Sequence, residues 1–214
     1  TIYLMLIFWF LASGDLSAQT KAAKTQIIQQ TNVKKLNTLN KKFEQSFKEE
    51  KQIALEYAKE QGWAVRKEED GSLIELMKIS KNGNPLYYTT FNADAAEATR
   101  ANTLHNGGIL GLNIEGQDMT GHVWDGGLAL ETHQEYDGPG GDDRFSIGDG
   151  TTETHYHSAH VTGTIIASGV EENAKGMAPQ GYAVGYDWNA DMAEASEAAA
   201  NGMLLSNHSY GWRA

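Results

Sequence analysis

Apolar side chains along the chain divide it into an N-terminal half of helix and hairpin and a C-terminal half of alternating strand and helix. Between Thr20 and about Gln61, Leu36, Leu39, Phe43, Phe47, Ala54 and Ala58 recur at three-to-four spacing, with Lys and Glu on the other faces. That predicts one amphipathic helix with a solvated charged face. Gly62 stands where such a helix stops. Beyond it, Leu73–Ile79 and Leu86–Phe91 are strand-like runs separated by Lys81-Asn82-Gly83-Asn84-Pro85, and Asn-Gly between such runs is a strong hairpin signal. Trp63-Ala64-Val65 is a candidate third strand. Ala93 to Leu104 is alanine-rich and predicted helical, ending at Asn106-Gly107-Gly108, with a turn-rich lead from Gly111 to Gln117.

In the C-terminal half, Val123-Trp124-Asp125-Gly126-Gly127 is a short apolar strand ending in an acid and two glycines. Thr154 to Ala167 begins polar and imidazole-rich, then turns apolar with small residues between. It predicts a helix with His157 in its first turn. His157, His160 and Thr164 are three and four apart and so share a helical face, and Gly163 and Ala167 suit close packing. Val184–Asp187 is a predicted strand, Asp191–Asn201 a helix stopped by Gly202, and Met203–Asn207 the next strand. Such alternation argues for a parallel sheet. An acid at a strand end and a histidine at a helix start meet at its carboxyl edge, where open α/β folds place their sites.

Composition sharpens this picture. At 214 residues and 40% hydrophobic, the chain holds one large or two small domains. The net charge of −11 argues against a nucleic-acid partner, which needs basic patches. Residues 21–70 mix Lys with Glu, whereas from Ala101 onward only Arg144, Lys175 and Arg213 are basic apart from histidine. That shift marks a domain boundary. With no cysteine, disulfides, thiolate catalysis and Cys-based zinc sites are excluded. The apolar run Ile2–Ala12, followed by small residues to Ala18, has the length of a signal-peptide core and is short for a membrane span. Residues 1–18 are therefore read as a signal peptide whose start is missing; an N-terminal membrane anchor is the alternative.

Two metal readings arise. The acid- and glycine-rich segments Asp137–Arg144 and Asp149-Gly150 could hold calcium, but their spacing does not match an EF-hand, and a solvated surface loop explains them more simply. His155, His157 and His160 could supply imidazole ligands, but the His-Glu-x-x-His pattern is absent and no metal is expected there.

Four motifs together carry a family resemblance. Val123-Trp124-Asp125-Gly126-Gly127 resembles the Asp motif of the subtilisin-like serine proteases, the subtilases. His157-Ser158-Ala159-His160-Val161-Thr162-Gly163-Thr164 matches five of eight positions in that family's His-Gly-Thr-His-Val-Ala-Gly-Thr. Lys175-Gly176-Met177-Ala178-Pro179 is similar to its Gly-Val-Ala-Pro, and Asn207-His208-Ser209-Tyr210-Gly211 to its substrate-lining Met-Ser-Leu-Gly. Asp before His is also the subtilisin order. Each motif alone is weak, since a strand-end Asp can merely cap a turn and a helix-start His can be structural; four in the family's order are specific. They span roughly the last half of the chain.

The resemblance implies an α/β fold: a partial doubly wound parallel sheet over residues 93–214, preceded by a small α+β propeptide-like module over residues 19–92. It implies that Asp125 orients His157, that His157 is the general base, and that Ser209, Tyr210 and Gly211 bind substrate as an added strand. Ser206 and Ser209 lack the Gly-Thr-Ser-x-[Ala/Ser] setting of the nucleophile. The family's nucleophilic Ser and oxyanion Asn fall beyond Ala214, so these residues alone are expected to be inactive. The implied protein is a secreted or cell-surface endopeptidase of bacterial type acting on polypeptides, with its propeptide as intramolecular inhibitor, membrane contact only through the signal peptide, and no required cofactor, calcium remaining open. A plain accessory domain is the alternative for residues 19–92. For the whole, the alternatives are a non-catalytic subtilase-like binding or adhesion module and a histidine-based metal-binding protein.

Overall fold

The computed structural model describes residues 20–69, 72–90, 104–107, 109–137, 143–171 and 174–213. The apolar leader, the boundary near Asn92, the expected helix from Ala93 (Leu104 apart) and Gly138–Asp142 lie outside these residues. Among the described residues no helix is long and apolar enough to cross a membrane.

The single helix expected from Thr20 is two: α1 (Lys21–Gln30) and α2 (Val33–Gln61). The break is chemical. Asn32 Oδ1 accepts the Lys35 N–H at 3.0 Å and starts a new helix, as Thr20 Oγ1 does for Ala23. Short polar side chains compete with helical backbone bonds and favour caps. Gly62 ends α2 at φ 71°, as the sequence indicates.

The Asn-Gly hairpin forms from β2 (Ser72–Ile79) and β3 (Pro85–Thr90), joined antiparallel. The third strand is β1 (Arg66–Glu69) rather than Trp63–Val65. Trp63 folds back instead onto the cluster of Ala54, Ala58 and Leu76. That places apolar bulk under α2 and leaves the charged run beyond it to pair at the sheet edge.

A second, parallel sheet contains β4 (Thr120–Asp125), β5 (Phe145–Ile147), β6 (Tyr182–Asp187) and β7 (Leu205–His208), in the order β5-β6-β4-β7. Helices α3 (Tyr156–Ile166) and α4 (Asp191–Ala200) alternate with its strands. Val123, Phe145 and Ala183 pack with Val161 and Ile166 of α3, whereas Trp124 and Tyr186 pack with Ala198 of α4. Adjacent residues of β4 thus bury opposite faces, as a parallel strand covered on both sides requires. The α2 helix lies along α4, where Asn40 donates to the Ala193 carbonyl at 2.9 Å.

The chain then crosses back. After the single residue Ser209, β8 (Tyr210–Arg213) leaves the parallel sheet and pairs antiparallel with β3, giving the order β1-β2-β3-β8. The architecture is mixed α/β, with one parallel and one antiparallel four-stranded sheet.

The Lys175–Pro179 segment closes the end of α3. Gly176, Met177 and Ala178 donate their N–H groups to the carbonyls of Ala167, Thr164 and Ile165. These are carbonyls that a helix terminus leaves without partners. Buried Arg144 adds bonds to the carbonyls of Ile166, Gly181 and Glu135. A Cβ on Gly176 would lie 2.6 Å from Ala167 N and 2.7 Å from Gly163 O, both backbone. A Cβ on Gly163 would meet only Tyr136 Oη, at 3.9 Å. Close packing therefore runs through Gly176, not Gly163 as the sequence suggests. Gly176→Ala should lower unfolding stability by about 1–3 kcal/mol through overpacking. Gly163→Ala should be neutral or stabilising by up to ~1 kcal/mol through helix propensity. Urea midpoints of the two variants check the contrast.

Candidate functional site

The site begins with a chain reversal after β4. Gly127 has φ 129°, a region that side chains rarely adopt, so the strand can turn immediately after Asp125-Gly126. Leu128 then pairs in parallel with Thr154; Leu128 N donates to Glu153 O and His155 N to Leu128 O, both at 2.9 Å. That bridge delivers the start of α3 to the carboxyl end of β4. His155 is the N-cap of α3, its Nδ1 accepting the His157 N–H at 3.2 Å. The sequence raised His155 only as one of three candidate metal ligands, not as a cap.

His157 and Asp125 are brought together. His157 Nδ1 lies 2.9 Å from both Oδ1 and Oδ2 of Asp125. Asp125 is 0% exposed and His157 1%. Asp125 Oδ1 also accepts the Gly126 N–H at 2.7 Å, so the carboxylate caps its own turn while it holds the imidazole. A carboxylate facing Nδ1 favours the proton there and leaves Nε2 as the basic nitrogen. Such a pair can take a proton at Nε2 and stabilise the resulting cation.

His160 is exposed although three residues from buried His157, so their helical spacing does not place them in one environment. Among the described residues no group of three or more His, Asp or Glu side chains is placed to hold a metal ion. Asp149, in the stretch weighed for calcium, accepts from Thr151 N, Thr151 Oγ1 and Asp187 N and ties that loop to β6.

A second acid stands at the same sheet edge. Asp187 pairs in register with Asp125, and burial raises its pKa. The next residue, Trp188, donates its N–H to Asp125 O at 2.7 Å and sets its ring 5.5 Å from that of Tyr210. Trp188 thereby links the Asp125 turn to the other predicted segment. Ser209 Oγ donates to Asn207 Oδ1 at 3.0 Å, Tyr210 Oη donates to Asp191 Oδ2 at 2.9 Å, and Gly211 lies opposite Thr89. Burial, with Asp191 beside it, raises the Tyr210 pKa.

The N-terminal sheet reaches the same place. Arg66 Nη2 donates to Gly126 O at 2.8 Å and lies 3.1 Å from Glu153. Glu68 Oε1 stands 3.5 Å from His155 Nε2. Glu75, 6% exposed, accepts from Lys51 Nζ at 2.8 Å, Trp188 Nε1 at 2.7 Å and Asn189 Nδ2 at 3.2 Å, and pairs with Arg66. Burial pushes the Glu75 carboxyl up, but Lys51, Trp188 and Arg66 outweigh it and hold the pKa below the usual value. Sequence reasoning missed Glu75. Its one trace is an acid inside an apolar run, Leu73-Ile74-Glu75-Leu76.

Fold and site together define a mixed α/β protein with a buried carboxylate–imidazole pair at the carboxyl edge of a parallel sheet. No protein-family model, no curated protein and no solved structure matches the chain.

Proposed function

We propose that these residues belong to the precursor of a secreted subtilisin-like serine endopeptidase of bacterial type. In this reading the parallel sheet is part of a doubly wound catalytic domain, and residues 19–92 are its propeptide. The observation that carries it is the buried Asp125–His157 pair at the sheet's carboxyl edge, with Nδ1 at 2.9 Å from both carboxylate oxygens. A serine beyond Ala214 attacks the peptide carbonyl while His157 takes its proton at Nε2. Asp125 stabilises the imidazolium. His157 then protonates the departing amine, and water hydrolyses the acyl-enzyme.

The pairing of β3 on β8 supports the propeptide role. β8 begins with Tyr210-Gly211, the segment assigned to substrate, and β3 lies on it as an added antiparallel strand. Strand addition is how peptides dock at sheet edges. The propeptide thus occupies the track that a substrate backbone needs, while Arg66 fastens it to the Asp125 turn. Secretion rests on the apolar run Ile2–Ala12, and no cofactor enters the chemistry.

The test uses the protein extended through its serine-bearing region. It should hydrolyse peptides and be labelled by a fluorophosphonate, and labelling should rise when residues 19–92 are cleaved away. A folded, extended protein that is never labelled favours the non-catalytic binding or adhesion module instead.

A further inference from the structure

The β3 strand brings one side chain into a cage built by the C-terminal half. The ring of Tyr88 lies 4.5 Å from that of Trp212, 4.9 Å from Tyr210 and 5.7 Å from Trp188. Its hydroxyl donates to Asp191 Oδ2 at 3.1 Å, on the same oxygen that takes the Tyr210 hydroxyl. Trp188, Asp191, Tyr210 and Trp212 all belong to the C-terminal half; Trp188 and Asp191 hold Tyr210 there, and Trp212 follows it on β8. Beside the ring a cavity of about 300 Å³ runs between Phe47, Met77, Met192 and Trp212, so the cage is not sealed. Asp191 opens α4 and keeps its other oxygen on the N–H of Met192, at 2.6 Å. That bond fixes the orientation of the carboxylate.

We propose that this cage is a substrate subsite selecting tyrosine: an extended peptide that replaces β3 on β8 places a phenol among Trp188, Tyr210 and Trp212 with its hydroxyl on Asp191. The inference rests on the protease reading, since it takes β3 to stand where substrate stands. Three ring faces favour any aromatic side chain. The carboxylate distinguishes among them. A phenylalanine fills the same space but leaves Oδ2 short of one donor, and a site built to hydrogen-bond a hydroxyl rejects the analogue that lacks it. A leucine loses both the donor and the stacking. Because Asp191 is only half-buried, water softens the penalty, and a tyrosine preference of roughly ten- to a hundred-fold over phenylalanine is expected from a hydrogen bond to a charged group.

The experiment compares kcat/KM of the extended, processed protein on peptides copying Pro85–Thr90 and continued C-terminally, identical except for Tyr, Phe or Leu in the register of Tyr88. A Tyr:Phe ratio of about ten or more, falling towards one in Asp191→Ala, is the expected result. Should Asp191→Ala fail to fold, the ratio on the unmodified protein decides alone. Hydrolysis with a ratio near one overturns this inference and leaves the protease reading standing. No hydrolysis of any peptide overturns the protease reading, and this inference with it. A second arm needs no turnover. In the 214-residue chain carrying Tyr88→Ala, p-cresol should raise Tm more than toluene does. Equal effects from the two ligands would show that Asp191 does not read the hydroxyl, which overturns the proposal.

Discussion

On the proposed protease reading, His157→Ala in the extended, processed protein should abolish peptide hydrolysis, and Asp125→Asn should lower kcat roughly ten-thousand-fold. The two losses have different causes. Without His157 no base takes the serine proton, and loss of the histidine alone costs about as much as loss of the whole unit, on the order of a million-fold. The Asp125→Asn amide keeps the size of the carboxylate but carries a donor as well as an acceptor. If the amide N–H₂ turns to His157, it calls for an acceptor at Nδ1 and moves the ring proton to Nε2, the wrong tautomer for a base. Asp125 is wholly buried and lies 2.9 Å from Nδ1 with both oxygens, so bulk solvent does not reach it to take its place. Circular dichroism should find both variants folded. Turnover at the wild-type rate in His157→Ala would remove His157 as the base and with it the assignment of the central helix.

The second large effect is on stability. Glu75→Ala should destabilise the 214-residue chain by about 3 kcal/mol, because removing one partner of a buried ion pair leaves the other charges uncompensated. Here Lys51 and Arg66 lose their shared carboxylate, and Trp188 Nε1 loses its acceptor inside the seam between the sheets. The same residue gives a pH dependence with a definite sign. The folded pKa of Glu75 lies below its ordinary 4.5, so its contribution is fully present above that value and is lost as pH falls through the lowered one. Neighbouring Asp187 acts oppositely: burial raises its pKa, so its ionisation opposes folding at neutral pH and that penalty lifts on acidification. Glu75→Gln removes the first contribution and keeps most of the second, since burial raises the Asp187 pKa more than the Glu75 charge does. On acidification its urea midpoint should therefore fall less than that of the wild type, or rise. Superimposable pH curves would mean that the seam does not depend on the charge of Glu75.

The meeting of Asp125 and His157 was legible because both lie on strongly patterned elements. An apolar strand that stops at an acid and a helix whose polar start turns apolar have few ways to pack in an α/β layer. Strand β6 and helix α4 were legible for the same reason, with Gly202 marking the stop. Other features leave no periodic trace. The break at Thr31-Asn32 is one capping bond just ahead of the apolar stripe that begins at Leu36. The shift of the third strand to Arg66–Glu69 follows from where Trp63 packs, and that depends on Leu76 of a neighbouring strand. Strand β5 has three residues, too few for alternation to register. The Tyr88 cage joins residues from β3, α4 and β8, and no local window contains them together.

The route of β8 carries a consequence for how the molecule is made. During synthesis, β3 leaves the ribosome on the order of a hundred residues before its partner, and closing a loop of that length costs ~4 kcal/mol of chain entropy. Until Tyr210–Arg213 arrives, the β1-β2-β3 sheet has one edge without its final neighbour. Such an edge is a template for any strand that meets it. The parallel sheet faces the reverse difficulty, since its non-local pairings are slow to find. A preformed three-stranded edge that captures β8 holds the end of β7 close to β4 and shortens the remaining search. If the N-terminal sheet forms first, it should set the tempo of folding as well as share the final structure. Synonymous recoding that slows translation between Thr90 and Tyr210 should lengthen the lifetime of the open edge, and with it the window for strand exchange between nascent chains.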